Sequence, residues 1–450
     1  MTKLTQTDNN LIKMVRDAGI VGEGGAGFPA HVKYNTQVET LIANGCECEP
    51  LLYSDQYIMQ HHARKIVRAM QAVMSVTGAT RGILGIKKKY VAIATEFKEA
   101  MVSTELELME LDNFYPAGDE QILIYELTGK TIPPLGLPVN AGIIVANVGS
   151  LFSVSNAMDG IPVTHKIVTV TGDVLKPSII NVPIGTSVKE CIENCGGTII
   201  SDPVTIIGGP MMGRFIEDQA TLDREVITKT TGGIIVLPRG HFLHEAGNLS
   251  FEIMQKRAAS ACIQCRMCTE MCPRYLIGHE FETHRVMRAL AGGSNLTTDT
   301  LQAMMCCECG VCELFACPMG LSPRRVNVML KARFRQEGLQ YQGPLNINSY
   351  QTEFREFRRV PTPRLGMKID IEKYMNLKPE FEGNYLPSQV RIPLRQHIGD
   401  PSVPIVKPGD RVNVGDCIAD IAPDVLGAKL HASISGIIKT IDTSIIIEGT

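Results

Sequence analysis

Cys262-Ile263-Gln264-Cys265-Arg266-Met267-Cys268-Thr269-Glu270-Met271-Cys272-Pro273 is the stretch that decides how this chain reads, and it returns as Cys306-x2-Cys309-x2-Cys312-x4-Cys317-Pro318. Three cysteines at x2 intervals, closed by Cys-Pro, are how a protein wraps a cubane 4Fe-4S cluster, because successive thiolates on a curled loop reach three of its irons. Structural zinc sites use pairs of cysteines rather than triples. Two runs imply two clusters and one-electron transfer. In two-cluster ferredoxins the fourth cysteine of each run crosses to the other cluster. On that logic Cys262, Cys265, Cys268 and Cys317 hold one cluster, and Cys306, Cys309, Cys312 and Cys272 hold the second. Cys307 competes with Cys306, but only Cys306 keeps the x2 interval. The extra residue before Cys317 has to be absorbed as a bulge.

Outward from these runs, 450 residues suggest roughly three domains. With 44 basic and 47 acidic residues and no basic block, no nucleic-acid footprint is present. The most apolar stretch, Ala141 to Met158, is broken by Asn147, Ser150, Ser153, Ser155 and Asn156, so no membrane-spanning segment is expected. The polar start, Met1 to Asn10, lacks a signal-peptide apolar region. Of 14 cysteines, eight stand in cluster spacing, which favours a reducing, cytoplasmic compartment.

Toward the amino terminus, Leu11 to Ala18 reads as a short helix ended by Gly19, followed by the loop Gly22-Glu23-Gly24-Gly25-Ala26-Gly27-Phe28-Pro29. Gly22-x-Gly24-x-x-Gly27 has the letters of a dinucleotide fingerprint, but a helix precedes it instead of a strand. What remains is backbone bare enough to approach a phosphate or a flat ring. Short apolar runs alternating with helical stretches such as Asp55 to Val76 give an α/β domain over 1–162. Around Val168 to Val174 the pattern is strand, turn and strand. Ser187-x-x-Glu190 forms a capping box, and Val188, Cys191, Ile192 and Cys195 make one apolar helix face. That is a β-grasp-like module at 163–237. A helical ferredoxin-like domain (250–335), an irregular wrapping linker (336–389) and a β-rich module (390–450) follow. In the last, Cys417 is expected to be buried, and Lys429 is read as a plain surface lysine.

The glycine loop with Lys33, then Asn44-x-x-Glu47-x-Glu49-Pro50, Gly118-Asp119-Glu120 and Asn147-Val148 stand in the order found in the complex I flavoprotein subunit and the Rnf complex C subunit, which they resemble. The resemblance implies FMN on Gly22, Gly24, Gly25, Gly27, Lys33, Asn44 and Asn147. It places Glu47, Glu49, Gly118, Asp119 and Glu120 along the flavin and NADH cleft. The chain departs from the complex I pattern at Cys46 and Gly149, where that subunit carries acidic residues. The β-grasp module is similar to an SLBB domain. The ending, Gln396-His397-Ile398-Gly399 to His431-Ala432-Ser433-Ile434-Ser435-Gly436, is similar to the barrel-sandwich hybrid domain that opens the Rnf C subunit. Here it comes last. That order, with the x4 cysteine run, resembles the cobalamin reductases of propanediol-utilisation microcompartments. The resemblance implies an enzyme carrying electrons from NADH through FMN and two 4Fe-4S clusters to a corrinoid that an adenosyltransferase presents, inside a microcompartment with shell proteins as neighbours. It also implies no catalytic side chain, since the flavin performs the chemistry. An Rnf-like NADH/ferredoxin subunit and a non-catalytic cluster-bearing scaffold are the alternatives.

Overall fold

The computed structural model describes residues 6–293 and 296–449, without side chains at 6–9 and 349–351. Residues 1–5 of the polar start therefore lie outside the described residues. No helix among the described residues is long and apolar enough to cross a membrane.

The first domain opens with helices α1 (Gln6–Asp17) and α2 (Ala30–Tyr34). Strands β1 (Thr40–Gly45), β2 (Arg81–Lys87) and β3 (Leu106–Leu111) follow, interleaved with helices α3 (Ser54–Thr77) and α4 (Val91–Ala100). The short strand β4 (Phe114–Tyr115), helix α5 (Glu120–Thr128), strand β5 (Ile143–Asn147) and helix α6 (Val148–Met158) complete it. Helix α3 buries Ile58, Met59, Ala63, Ile66, Val67, Met70 and Val73, a helical period laid against the sheet, and ends at the left-handed Gly78, whose N–H returns to Met74 O. The parallel sheet runs β3-β2-β1-β5. The chain winds outward from β1 to β3 and then returns to the opposite side of β1. In open α/β sheets that reversal leaves a crevice beyond the strands' carboxyl ends, where ligands bind. Asn44 and Asn147 close those two ends as direct register partners.

The second sheet contains β6 (His165–Gly172), β7 (Ser178–Pro183), β8 (Pro203–Ile207), β9 (Arg214–Ile216) and β10 (Gly233–Pro238) around helix α7 (Val188–Asn194). The capping box forms: Glu190 Oε2 accepts the Ser187 N–H at 3.2 Å. Cys191 and Cys195 are buried in this domain's core. The second strand starts at Ser178, not at Val174, which makes only a lone bridge to Thr198.

The irregular linker expected over 336–389 has more structure than that. Strand β11 (Val360–Pro361) pairs with β4, and β12 (Glu380–Asn384) joins the edge of the second sheet in parallel with β7. The β-grasp sheet is thus completed from outside 163–237. The final module has two sheets. One is built from β13 (Gln389–Pro393), β15 (Arg411–Val412), β18 (Gly436–Ile441) and β19 (Ser444–Gly449). The other contains β14 (Val403–Pro404), β16 (Cys417–Asp420) and β17 (Leu430–His431). Cys417 is only half-buried, because strand alternation turns its neighbour Ile418 inward. Lys429 is not a free surface lysine: it pairs with Asp17 at 3.0 Å and Asp420 at 3.4 Å.

Candidate functional site

The glycine loop is a tight hairpin, with Gly22 N–H donating to Phe28 O at 2.8 Å and Val21 bridging Pro29. A short helix does follow it, but the loop precedes β1 instead of following a strand, so the fingerprint reading fails on topology. The loop nevertheless lies over the crevice. A Cβ on Gly24 would stand 3.1 Å from Asn147 Nδ2, whereas Gly25 faces open space. Asn147 caps α6 through Gly149 N–H at 2.7 Å and donates to Asp55 Oδ2 at 2.8 Å. Asn44 accepts the Cys46 N–H at 3.0 Å and donates to Gly118 O at 2.9 Å, tying the β1 end to the 118–120 segment.

Carboxylates surround this crevice. Lys33 pairs with Glu120 at 3.3 Å. Glu47 accepts the Glu49 N–H, and burial raises its pKa. Glu49 Oε2 accepts the Met211 N–H at 2.9 Å while its Oε1 is buried without a partner, and burial pushes this carboxyl up to about 8. Burial likewise lifts Asp55 to about 7. Glu23 and Lys166, to which the sequence assigns no role, belong here as well. The two are ion-paired, and Glu23 also accepts from Ser153 at 2.9 Å. A Cβ on Gly149 would lie 2.7 Å from the Glu23 carboxylate, so Glu23 fills the space that a side chain at 149 would take. A bare glycine cradle, carboxamides at both strand ends and an orphaned buried acceptor fit a flavin.

The cysteine loops are conformational copies. Gln264 and Glu308, each two residues after the first cysteine, have φ of 53° and 65°, and Arg266 and Gly310, each four after it, have 65° and 80°. This equivalence places Cys306, not Cys307, opposite Cys262. The loops diverge where the extra residue enters. Met267–Glu270 is one α-turn, whereas Val311–Ala316 is a π-helix, the widened turn that accommodates one more residue. The Cys268 thiol lies within Coulombic reach of Cys317, Cys262 and Cys265, and Cys312 within that of Cys306 and Cys272, with Cys268 beyond them. Cys272, Cys306, Cys307, Cys309 and Cys312 ring one small cavity, five thiols where a cubane needs four. Among the described residues no three His, Cys, Asp or Glu side chains converge on a single-ion site. The residues fit two cubanes. The first thiol set opens outward, with Cys265 exposed, while Cys272, Cys306, Cys309 and Cys312 are buried.

The buried set abuts the crevice. Tyr115 OH donates to Cys309 O at 2.8 Å in a buried contact. Arg274, just past Cys272-Pro273, donates from Nη2 to Asp119 Oδ2 at 2.9 Å, and its guanidinium lies within Coulombic reach of Cys272, Cys307 and Cys309. Asp119 Oδ1 meanwhile caps α5 through the amides of Gln121 and Ile122.

Four stretches of the chain match known families. Residues 15–156 match the Nuo51 FMN-binding domain, 167–215 an SLBB domain, 261–322 a 4Fe-4S dicluster domain and 362–450 the RnfC barrel sandwich hybrid domain. The chain is 41% identical over 441 residues to the cobalamin reductase PduS of Salmonella typhimurium, covering 98% of this chain and 96% of the relative. Its identity to the Citrobacter freundii protein of the same name is 42%, over 95% of this chain and 93% of that protein. The chain belongs to the cobalamin reductase PduS family. The C component of the proton-translocating ferredoxin:NAD(+) oxidoreductase complex of Clostridium ljungdahlii is 36% identical over 59% of this chain and 56% of its own. An NAD+-reducing [NiFe]-hydrogenase structure shares the fold at TM-score 0.50 and 21% identity, covering 78% of this chain and 66% of that one. The fold of this PduS-family oxidoreductase is thus α/β and multidomain, with flavin-type, SLBB, dicluster and barrel-sandwich parts.

Proposed function

We propose that this protein oxidises NADH and passes the electrons, through FMN in the β1/β5 crevice and two 4Fe-4S clusters, to a corrinoid whose cobalt is reduced toward Co(I) for reactivation of a B12-dependent diol dehydratase. FMN, when bound, supplies the conversion between a two-electron donor and one-electron acceptors. Gly22, Gly24, Gly25, Gly27, Lys33, Asn44 and Asn147 would hold it. Glu47, Glu49, Gly118, Asp119 and Glu120 would border the nicotinamide side. Cys272, Cys306, Cys309 and Cys312 would hold the inner cluster, and Cys262, Cys265, Cys268 and Cys317 the outer one.

The observation that carries this reading is the direct seam between crevice and inner thiols, Tyr115 to Cys309 and Arg274 to Asp119. Together with the exposed Cys265 it supports the order crevice, buried thiol set, exposed thiol set, solvent. The chain's own groups contribute positioning and charge, with no acid or base in the transfer. The acceptor is a corrinoid carried by an adenosyltransferase, and the setting is the interior of a bacterial microcompartment.

Anaerobically purified protein should contain one FMN and about eight irons and should oxidise NADH with cob(II)alamin as acceptor, the iron count being that of two cubanes. Protein without flavin would sink the proposal. Fast reduction of ferredoxin with none of cobalamin would favour the Rnf-like alternative.

A further inference from the structure

A cavity of about 340 Å³ lies beside the glycine-loop crevice, with Glu23, Ser153 and Lys166 in its lining. It falls within the ~300–1,000 Å³ range of small-ligand pockets. Three parts of the chain build it: α3 and α6 of the first domain, β6 and β7 of the second, and β12 from the returning segment. Its walls are two stacked ring pairs. Tyr57 lies on Phe381 with centroids 4.5 Å apart and planes 18° apart, and His62 lies on Phe152 at 4.5 Å and 22°. Helix α3 breaks its regular geometry at His62, at φ −131° and ψ 25°, where the imidazole turns onto the cleft wall.

The polar groups are balanced. Glu23 and Lys166 form a mutually compensated pair, and burial lowers the pKa of His62 and of His165 from the ordinary imidazole value. The carboxamides of Asn181 and Asn384, bonded to each other at 2.8 Å, stand at the rim with donors and acceptors to spare. Phe381 lines the cleft and remains 37% exposed. The Lys65 ammonium stands 5.3 Å over the Phe152 ring and bonds Asn156 at 2.7 Å, which leaves the Tyr57–Phe381 wall and the carboxamides at the edge to suit a flat heteroaromatic ring read along its polar edge.

We propose that this cleft, which shares the Glu23–Lys166 pair with the flavin crevice, is a second binding site, for a heteroaromatic base carried on a ribosyl group. That chemistry has two sources among ligands of the kind proposed above: the benzimidazole riboside in the lower loop of a corrinoid, and the adenosine half of a dinucleotide. The choice of these two sources rests on the electron-transfer reading, whereas the cleft itself does not.

The test is equilibrium dialysis of the FMN-loaded holoprotein against α-ribazole and against adenosine, with wild type and Phe381→Ala. Phe381 sits on an edge strand, so its loss leaves the cores intact, and flavin and iron content check this directly. At least one nucleoside should bind the flavin-saturated protein, and Phe381→Ala should weaken it about tenfold, as expected for one lost base-stacking partner. Preference for α-ribazole assigns the cleft to the corrinoid, and preference for adenosine assigns it to the dinucleotide. Asn384→Ala should narrow whichever preference is seen. Binding of neither nucleoside, binding unmoved by both Phe381→Ala and Phe152→Ala, or binding abolished by excess FMN would overturn the proposal.

Discussion

Breaking the Arg274–Asp119 pair should loosen the seam between the flavin crevice and the inner thiols more than it harms either part. The pair is short, 2.9 Å, and well covered, with side-chain exposures of 10% and 17%. At an effective dielectric of about 20, two unit charges at that distance attract by about 6 kcal/mol before desolvation. Removing one partner of a buried pair, which strands the other charge, costs ~3–5 kcal/mol. Arg274→Met leaves the Asp119 charge beside Ile122 and Gln121, still capping α5, so the loss falls on the seam. Asp119→Asn retains a capping oxygen but strands a guanidinium whose Nη1 is already without a partner. Each single change should cost several kcal/mol, and the double variant should cost well under the sum, with a coupling of at least ~1.5 kcal/mol. The assay is anaerobic guanidinium unfolding of the holoprotein, read at the transition where cluster absorbance is lost, with stopped-flow reduction of the clusters by NADH alongside. Additivity of the two single changes within ~0.5 kcal/mol, with cluster reduction at the wild-type rate, would refute the reasoning.

The Glu49 carboxyl, raised by burial to about 8, gives a pH signature. Between the unfolded carboxylate pKa and about 8 the folded state holds a proton that the unfolded chain has released. Stability of the flavin-free protein should therefore fall as pH rises through that window, by at most ~1.4 kcal/mol per pH unit, and Glu49→Gln should flatten the fall in thermal melts. Cys309→Ala should remove one cluster's electron paramagnetic resonance signal and leave the other, and unchanged iron content would contradict its placement in the inner set. Lys229, lowered to about 7 by burial, donates to Gly19 O at 2.6 Å and Lys429 O at 2.7 Å, so its buried amine has two carbonyl acceptors. Lys229→Met should leave both carbonyls bare at ~1–3 kcal/mol each and release the carboxy-terminal module to limited proteolysis first, a result that equal protease resistance would disprove.

Chemistry written in local spacing is legible from the sequence; chemistry made by distant pieces is not. The cysteine intervals carry the matched left-handed residues of both loops, and the surplus residue before Cys317 foreshadows the π-helix. The capping box at Ser187 and the buried face of α7 are equally local. Strand β12 leaves no such mark, because its residues lie at a sheet edge with little burial and show no alternation. Arg274, Tyr115 and Glu23 are hidden for another reason: each works through a partner more than 140 residues away. Only Arg274 leaves a trace, its place right after Cys-Pro. The glycine loop misleads in form, since it reaches the crevice from a helix that precedes the sheet and not from a strand.

The barrel-sandwich module rests on the beginning of the chain. Ile398 N–H reaches Gly27 O at 3.3 Å, Arg16 reaches Ile421 O at 3.0 Å, and Lys429 reaches Asp17. A module seated beside the amino-terminal loop can be spliced to either end of the gene without changing its seat, because only the connecting segment must reroute. The shuffled domain order then costs the architecture little. Here the reroute is the path through β11 and β12, which turned a bare tether into part of two sheets.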